Sequence, residues 1–167
     1  MRNTLLGISV AGALLATLAP AHAADTGKQI DYQGFRELTQ EVQAYREHRL
    51  VSLAQFQAMA REPGTIILDA RSADAYRKGH IAGAINLSFS DFTAQSLASV
   101  LKRPDTRVLI YCNNNFENNA PPVILKSVKL ALNIQTFINL YGYGYRNVFE
   151  LGDVVNFDDP KVHWVRG

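Results

Sequence analysis

The chain has 167 residues, 47% of them hydrophobic, with 17 Lys+Arg against 15 Asp+Glu and a single Cys. It is too short for two ordinary domains and too apolar for a disordered chain, and a formal charge of +2 with no basic run leaves no electrostatic footprint for nucleic acid. One Cys excludes an internal disulfide framework and a Cys-rich zinc site, so the thiol is either a buried filler or a reactive group.

Residues 1–23 read as a secretory signal peptide. Arg2 is their only charge, an apolar stretch follows, and Ala21-His22-Ala23 is a small-x-small cleavage site. The apolar stretch is about 15 residues, short of the ~20 that span a bilayer, so the expectation is cleavage rather than anchoring. The product is then an exported protein with no membrane contact after signal removal, periplasmic in a Gram-negative host. Residues 24–48 are expected to form a lead-in and a helix, 49–155 the main domain and 156–167 a C-terminal tail.

From Tyr32 onward, Phe35, Leu38, Val42 and Tyr45 recur at spacings of three and four, which predicts an amphipathic helix ending near His48. Leu50-Val51 is a short strand candidate. Ser52-x-x-Gln55 is a capping box that opens a helix carrying Leu53, Phe56 and Met59, and Pro63-Gly64 ends it. Residues 65–68 are apolar and β-branched without polar alternation, as a strand buried on both faces of a parallel sheet requires. Ser72 caps a short helix through Lys78, with Gly79 as its stop, and residues 84–87 give another strand.

Residues 91–102 carry Phe92, Leu97, Val100 and Leu101 on one helical side. The strongest strand signal, residues 107–111, runs straight into Cys112. After a polar loop, Pro121-Pro122 is expected to open a helix through Ile124, Leu125, Val128 and Leu132 to about Tyr141, bent near Asn133, because a missing N–H costs nothing at a helix start. Gly142 and Gly144 end it, and residues 147–151 read as the last strand. Strand and helix alternate at short intervals, so the class is α/β with a mainly parallel sheet.

Ligands of open α/β sheets bind outside the carboxyl ends of the strands, and Cys112 sits at such a place. Residues 113–119 contain five asparagines, which tolerate left-handed backbone conformations. Such a loop can curl its N–H groups inward as an anion nest, with a helix N-terminus behind it. The same donors would lower the pKa of Cys112 and make it nucleophilic. The alternatives are an inert buried Cys and a plain surface turn.

Leu68-Asp69-Ala70-Arg71, then Tyr76-x-x-Gly79-His80-Ile81-Ala82-Gly83-Ala84-x-Asn86, then Val108-Leu109-Ile110-Tyr111-Cys112, together resemble the rhodanese (sulfurtransferase) domain, and residues 144–151 resemble its last strand region. The resemblance covers roughly residues 50–152. It implies a single rhodanese-like domain, a five-stranded mainly parallel sheet flanked by helices on both faces. Catalytic Cys112 would stand on a substrate-binding loop of Asn113, Asn114, Asn115, Phe116, Glu117 and Asn118. It further implies that sulfane sulfur passes from a small donor to Cys112 and on to a thiol or cyanide acceptor, the persulfide being held by backbone N–H groups of residues 113–118, without metal or organic cofactor. Asp69 and Arg71 correspond to the family's Asp-x-Arg pair, expected to brace the loop after its strand. His80 lies in the Gly-His-Ile turn, where a structural hydrogen bond is expected.

The loop departs from the family pattern in lacking Gly and a basic residue. Glu117 would oppose a dianionic donor and raise the thiol pKa if turned inward, and an outward solvated Glu is the default. Phe116 reads either as an apolar pocket wall or as core. Related dual-specificity phosphatases carry Arg where this loop has Asn118, and a neutral amide cannot hold equatorial phosphoryl oxygens, so phosphatase chemistry is not expected. Two further readings remain: a non-catalytic module binding a ligand or a periplasmic protein partner, and a thiol redox protein forming a mixed disulfide with a partner. His48, His163 and Trp164 have no partners at ligand spacing, and Tyr141, Tyr143 and Tyr145 read as a pocket rim, a partner surface or core.

Overall fold

In the computed structural model, which describes residues 29–166, the elements run α1 (Tyr32–Glu47), β1 (Leu50–Val51), α2 (Leu53–Ala60), β2 (Ile66–Asp69), α3 (Ala73–Lys78), β3 (His80–Ile81), β4 (Ala84–Asn86), α4 (Ala94–Leu101), β5 (Val108–Tyr111), α5 (Leu132–Gly142), β6 (Val148–Leu151) and β7 (Trp164–Val165). The expected signal segment, residues 1–23, lies outside the described residues. No helix among the described residues is long and apolar enough to cross a membrane.

Five strands form one sheet in the order β1-β6-β5-β2-β4, every pairing parallel, as the alternation of strands and helices implies. Side chains alternate across it. Val108 and Ile110 of β5 and Leu68 of β2 join a core with Val42 of α1, Leu97 and Leu101 of α4, and Phe137 and Leu140 of α5. Leu109 and Tyr111 of β5 and Ile67 of β2 face the other way, into a core with Phe56 of α2, Ile81, Phe116 and Val162. Both faces are therefore covered, and an apolar run without alternation is what such a strand needs.

Capping decides where the helices start. Ser52 and Gln55 exchange hydrogen bonds at the head of α2, as the motif predicts. The helix expected over residues 91–102 begins later. Phe89–Asp91 is a 3₁₀ turn, and a second capping box, Thr93 with Ser96, opens α4 at Ala94. Gly144, at φ +94, makes the left-handed turn that leaves α5.

The long helix expected from Pro121-Pro122 to Tyr141 does not form; only Leu132–Gly142 is α-helical. Residues 120–131 instead run as a strap with a 3₁₀ turn at Val128–Leu130. Asparagine side chains take its backbone groups: Asn113 Nδ2 donates to Ile124 O at 2.8 Å, Asn114 Nδ2 to Lys126 O at 2.9 Å, and Asn114 Oδ1 accepts Lys126 N–H at 3.1 Å. These bonds compete directly with helical i→i−4 pairing. Within the expected tail, residues 156–167, the described part is structured: β7 pairs antiparallel with β3, and Trp164 stacks on Phe157 with ring centroids 5.4 Å apart.

Candidate active site

Cys112 follows the carboxyl end of β5, in the middle of the sheet, and its side chain is a free thiol with 1% exposure. Asn114 N–H donates to Sγ at 3.4 Å. Backbone N–H groups of Leu132 and Asn133, from the first turn of α5, also act on the sulfur. The sulfur thus accepts one hydrogen bond, from its own loop, and its ionised form is further favoured by N–H groups of a helix 20 positions further along the chain. The first turn of a helix leaves its N–H groups without intrahelical partners, so they are available here.

The expectation of a lowered thiol pKa is overturned. Burial pushes the Cys112 thiol up, N–H groups of Asn114 and Asn133 offset part of that, the Glu150 carboxylate adds to the rise, and Leu132 N–H offsets a little. Desolvation wins because neutral N–H groups only partly stabilise a buried anion.

The asparagine loop is not the anion nest that its composition suggested. Asn113–Asn115 make a 3₁₀ turn; Asn115 N–H donates to Cys112 O, Phe116 N–H to Asn113 O, and Glu117 N–H to Val155 O. Those three donors are therefore turned away from the sulfur. The side chains are what the asparagines contribute. Asn113 and Asn114 clamp the strap, while Asn115 Oδ1 accepts Cys112 N–H at 2.9 Å and its Nδ2 donates to Leu151 O at 2.7 Å. Asn118 joins Asn156 at 2.9 Å and accepts Phe157 N–H at 2.9 Å. Asn119, at φ 43, accepts Leu125 N–H at 3.1 Å.

Glu117 is exposed and accepts a bond from Asn156 Nδ2 at 3.2 Å, so it stands apart from the thiol. Phe116 is fully buried, with its ring 5.0 Å from that of Trp164, and belongs to the core rather than to a pocket wall.

The carboxylate that does act on the sulfur is Glu150 of β6, 3% exposed. Arg46 of α1 holds it through Nε to Oε2 at 2.6 Å and Nη2 to Oε1 at 2.5 Å, and Asn133 Nδ2 donates to its Oε1 at 3.0 Å. Asn133 Nδ2 also donates to Asn115 Oδ1 at 2.9 Å, which closes a chain of bonds back to Cys112 N–H. Strand parity was the available signal: with Val148 in the α1/α5 core, Glu150 two residues on faces the same side.

Asp69 and Arg71 form a buried ion pair: Arg71 Nε lies 2.9 Å from Oδ1 and Nη2 2.5 Å from Oδ2, and Nη2 also donates to Gly79 O at 2.8 Å. Arg71 thereby ties the segment after β2 to the end of α3. Arg71 Nη1 is buried without a partner. Arg71 borders a cavity of about 390 Å³ with Asn113, Ile124, Lys126, Leu130 and Leu132. A second cavity, about 430 Å³, lies across the strap, bordered by Arg46, Asn114, Val128, Asn133, Glu150 and Val154. His80 Nδ1 donates to Tyr76 O at 2.9 Å and the ring stacks on Tyr76, a structural arrangement. Tyr141 and Tyr145 are core, and Tyr143 is exposed. Among the described residues, no three His, Cys, Asp or Glu side chains gather as a metal-binding group.

The Rhodanese-like domain family matches residues 52–153. Over 97 residues the chain is 26% identical to the uncharacterized protein YibN of Escherichia coli (strain K12), an alignment covering 58% of this chain and 64% of that protein. The chain thus spans a little under two thirds of that relative's length. Among solved structures it is similar to the BH2092 protein of Bacillus halodurans, with TM-score 0.47, 20% identity and coverage of 65% and 73% of the two chains. It is also similar to a thiosulfate sulfurtransferase of Pseudomonas aeruginosa, with TM-score 0.45, 22% identity and coverage of 71% and 20%.

Proposed function

Because the chain belongs to the rhodanese-like domain family, we propose that Cys112 accepts sulfane sulfur as a persulfide and passes it to a thiol or cyanide. The observation that carries this reading is the free thiol at the end of β5 with the Asn114 N–H donating to its sulfur. In the first step the Cys112 thiolate attacks the outer sulfur of a donor such as thiosulfate. The Cys–S to S bond forms, the donor's sulfur–sulfur bond breaks, and sulfite leaves with the bonding pair. The terminal sulfur of the persulfide then bears the negative charge. In the second step an acceptor thiolate or cyanide attacks that sulfur, and the Cys112 thiolate is released.

The N–H groups of Asn114, Leu132 and Asn133 serve the anionic states of both steps. The loop lacks a cation of its own, yet Arg71 and Lys126 border the cavity beside Asn113 and Leu132, and this favours an anionic donor. The raised thiol pKa implies that few Cys112 side chains are ionised at neutral pH, so transfer accelerates as pH rises toward the thiol's own value.

Mass spectrometry of the protein after incubation with thiosulfate, 3-mercaptopyruvate or polysulfide tests the reading. The expected result is a gain of one sulfur atom that vanishes in Cys112→Ser. No adduct with any of the three donors overturns it. The near-complete burial of Cys112 favours a second reading, a binding module for a ligand or partner protein in which the thiol is a bystander. In that case Cys112→Ser retains binding and the wild type gains no sulfur. Export to a periplasm belongs to the same proposal on the strength of residues 1–23, and N-terminal sequencing of the protein recovered from that compartment checks it.

A further inference from the structure

The family match begins at residue 52, yet α1 before it reaches the surroundings of the thiol. We infer that Arg46 is a positioning residue for Cys112: by holding Glu150 in a two-bond ion pair, it offsets the charge of a buried carboxylate that stands on the same chain of hydrogen bonds as Cys112.

The geometry is specific. Glu150 is 4% exposed at its side chain, and both of its oxygens are taken by one guanidinium, at 2.6 and 2.5 Å. Such fork-on-fork pairing fixes direction as well as charge. The third bond to the carboxylate comes from Asn133 Nδ2 at 3.0 Å, and Asn133 is also the residue whose backbone N–H serves the sulfur. Through Asn115 Oδ1 the same amide is tied to Cys112 N–H, with 2.9 Å at each bond. Arg46, Glu150, Asn133, Asn115 and Cys112 therefore form one continuous polar chain through the core between α1, α5 and the sheet.

Other charged groups do not substitute for Arg46. Arg49 accepts Glu150 N–H with its carbonyl at 2.9 Å, but its guanidinium lies over the Tyr45 and Phe149 rings, 4.8 Å from each centroid. Arg71 and Tyr111 both donate to Asp69. No charged residue stands on α5. An unpaired Glu150 would oppose ionisation of the thiol, and an unpaired Arg46 would favour it. A shift of one pKa unit is a tenfold change in ionisation.

The inference concerns the thiol of the sulfur-transfer reading and rests on that reading for its use. It is tested without any sulfur donor, so either can fail alone. The rate of iodoacetamide alkylation of Cys112 is followed against pH in the full chain, with circular dichroism to establish folding. Glu150→Gln leaves a lone cation and is expected to lower the apparent thiol pKa, making alkylation below it about tenfold faster. Arg46→Gln leaves a lone carboxylate and slows alkylation by a similar factor, while Arg46→Lys stays near the wild type. The double variant, with neither charge, returns to the wild-type profile, which loss of packing alone would not produce. A folded Glu150→Gln or Arg46→Gln whose profile overlays the wild type overturns the inference. If Arg46→Gln does not fold, Glu150→Gln decides it alone by the same criterion.

Discussion

Tyr111 shows how much a single hydroxyl does beneath the site. It donates to Asp69 Oδ2 at 2.6 Å and accepts Ile81 N–H at 3.1 Å, so it joins the central strand to the ion pair and to β3. Burial, followed by the Asp69 charge, keeps the phenol neutral well above its ordinary range, so it remains a donor at pH values where an ordinary phenol ionises. Tyr111→Phe leaves one Asp69 oxygen short of a donor and Ile81 N–H without an acceptor, and should cost about 1–3 kcal/mol in urea denaturation. An unchanged midpoint would remove this role.

At Cys112 the folded state holds its proton more tightly than the unfolded chain. That contribution to stability is complete below the unfolded thiol value of ~8.5 and is lost as pH rises through the folded one. The wild type should therefore lose stability relative to Cys112→Ser as pH rises above ~8.5, measured as denaturation midpoints at each pH. A constant difference would contradict the raised pKa.

The residue scale also shows what a motif conceals. Cys112, Asp69 and Arg71 are readable from their neighbours in sequence, whereas the carboxylate acting on the sulfur is Glu150, 38 positions beyond Cys112, rather than Glu117 in the loop itself.

The strap of residues 120–131 is the element least like its sequence. Ile124, Leu125, Val128 and Leu132 fit a helical spacing, but Ile124, Leu125 and Val128 are exposed and only Val123 is fully buried. Asn113 and Asn114 hold the strap by three side-chain bonds to its backbone, and each such bond is worth about 0.5–1.5 kcal/mol. Converting both to Ala should loosen the strap, speed alkylation of Cys112 about tenfold, and quicken amide exchange at residues 124–126, since Lys126 N–H loses its acceptor. Alkylation at the wild-type rate would mean that the strap does not limit access.

Elsewhere local signals sufficed. Ser52 with Gln55 and Ser72 with Ala75 N–H are capping contacts within three residues, and helices α2 and α3 start where those residues place them. Asparagine runs carry no such instruction, because an amide side chain bonds equally well to near or distant backbone.

At the scale of the whole molecule, segments outside residues 52–153 complete the domain. α1 supplies Val42 to one core and Arg46 to Glu150, and β7 brings Trp164 against Gly79, Phe116 and Phe157 on the other face. A Cβ on Gly79 would lie 2.6 Å from Trp164 Nε1, and the ring cannot move aside while stacked on Phe157. Gly79→Ala should therefore destabilise by about 1–3 kcal/mol, read as a lowered thermal midpoint; a midpoint equal to the wild type would show that the C-terminal strand is dispensable.

The sequence alone determined the class, the parallel sheet, the order of its strands' appearance and the place of the thiol, because these follow from periodicity, caps and a few contiguous motifs. The tertiary structure alone decided what surrounds that thiol: a strap where a helix was expected, N–H groups from the distant start of α5, and a carboxylate paired with an arginine of α1. Those features depend on contacts between residues far apart in the chain, and burial, which sets the charge state of Cys112, exists only once the chain has folded around it.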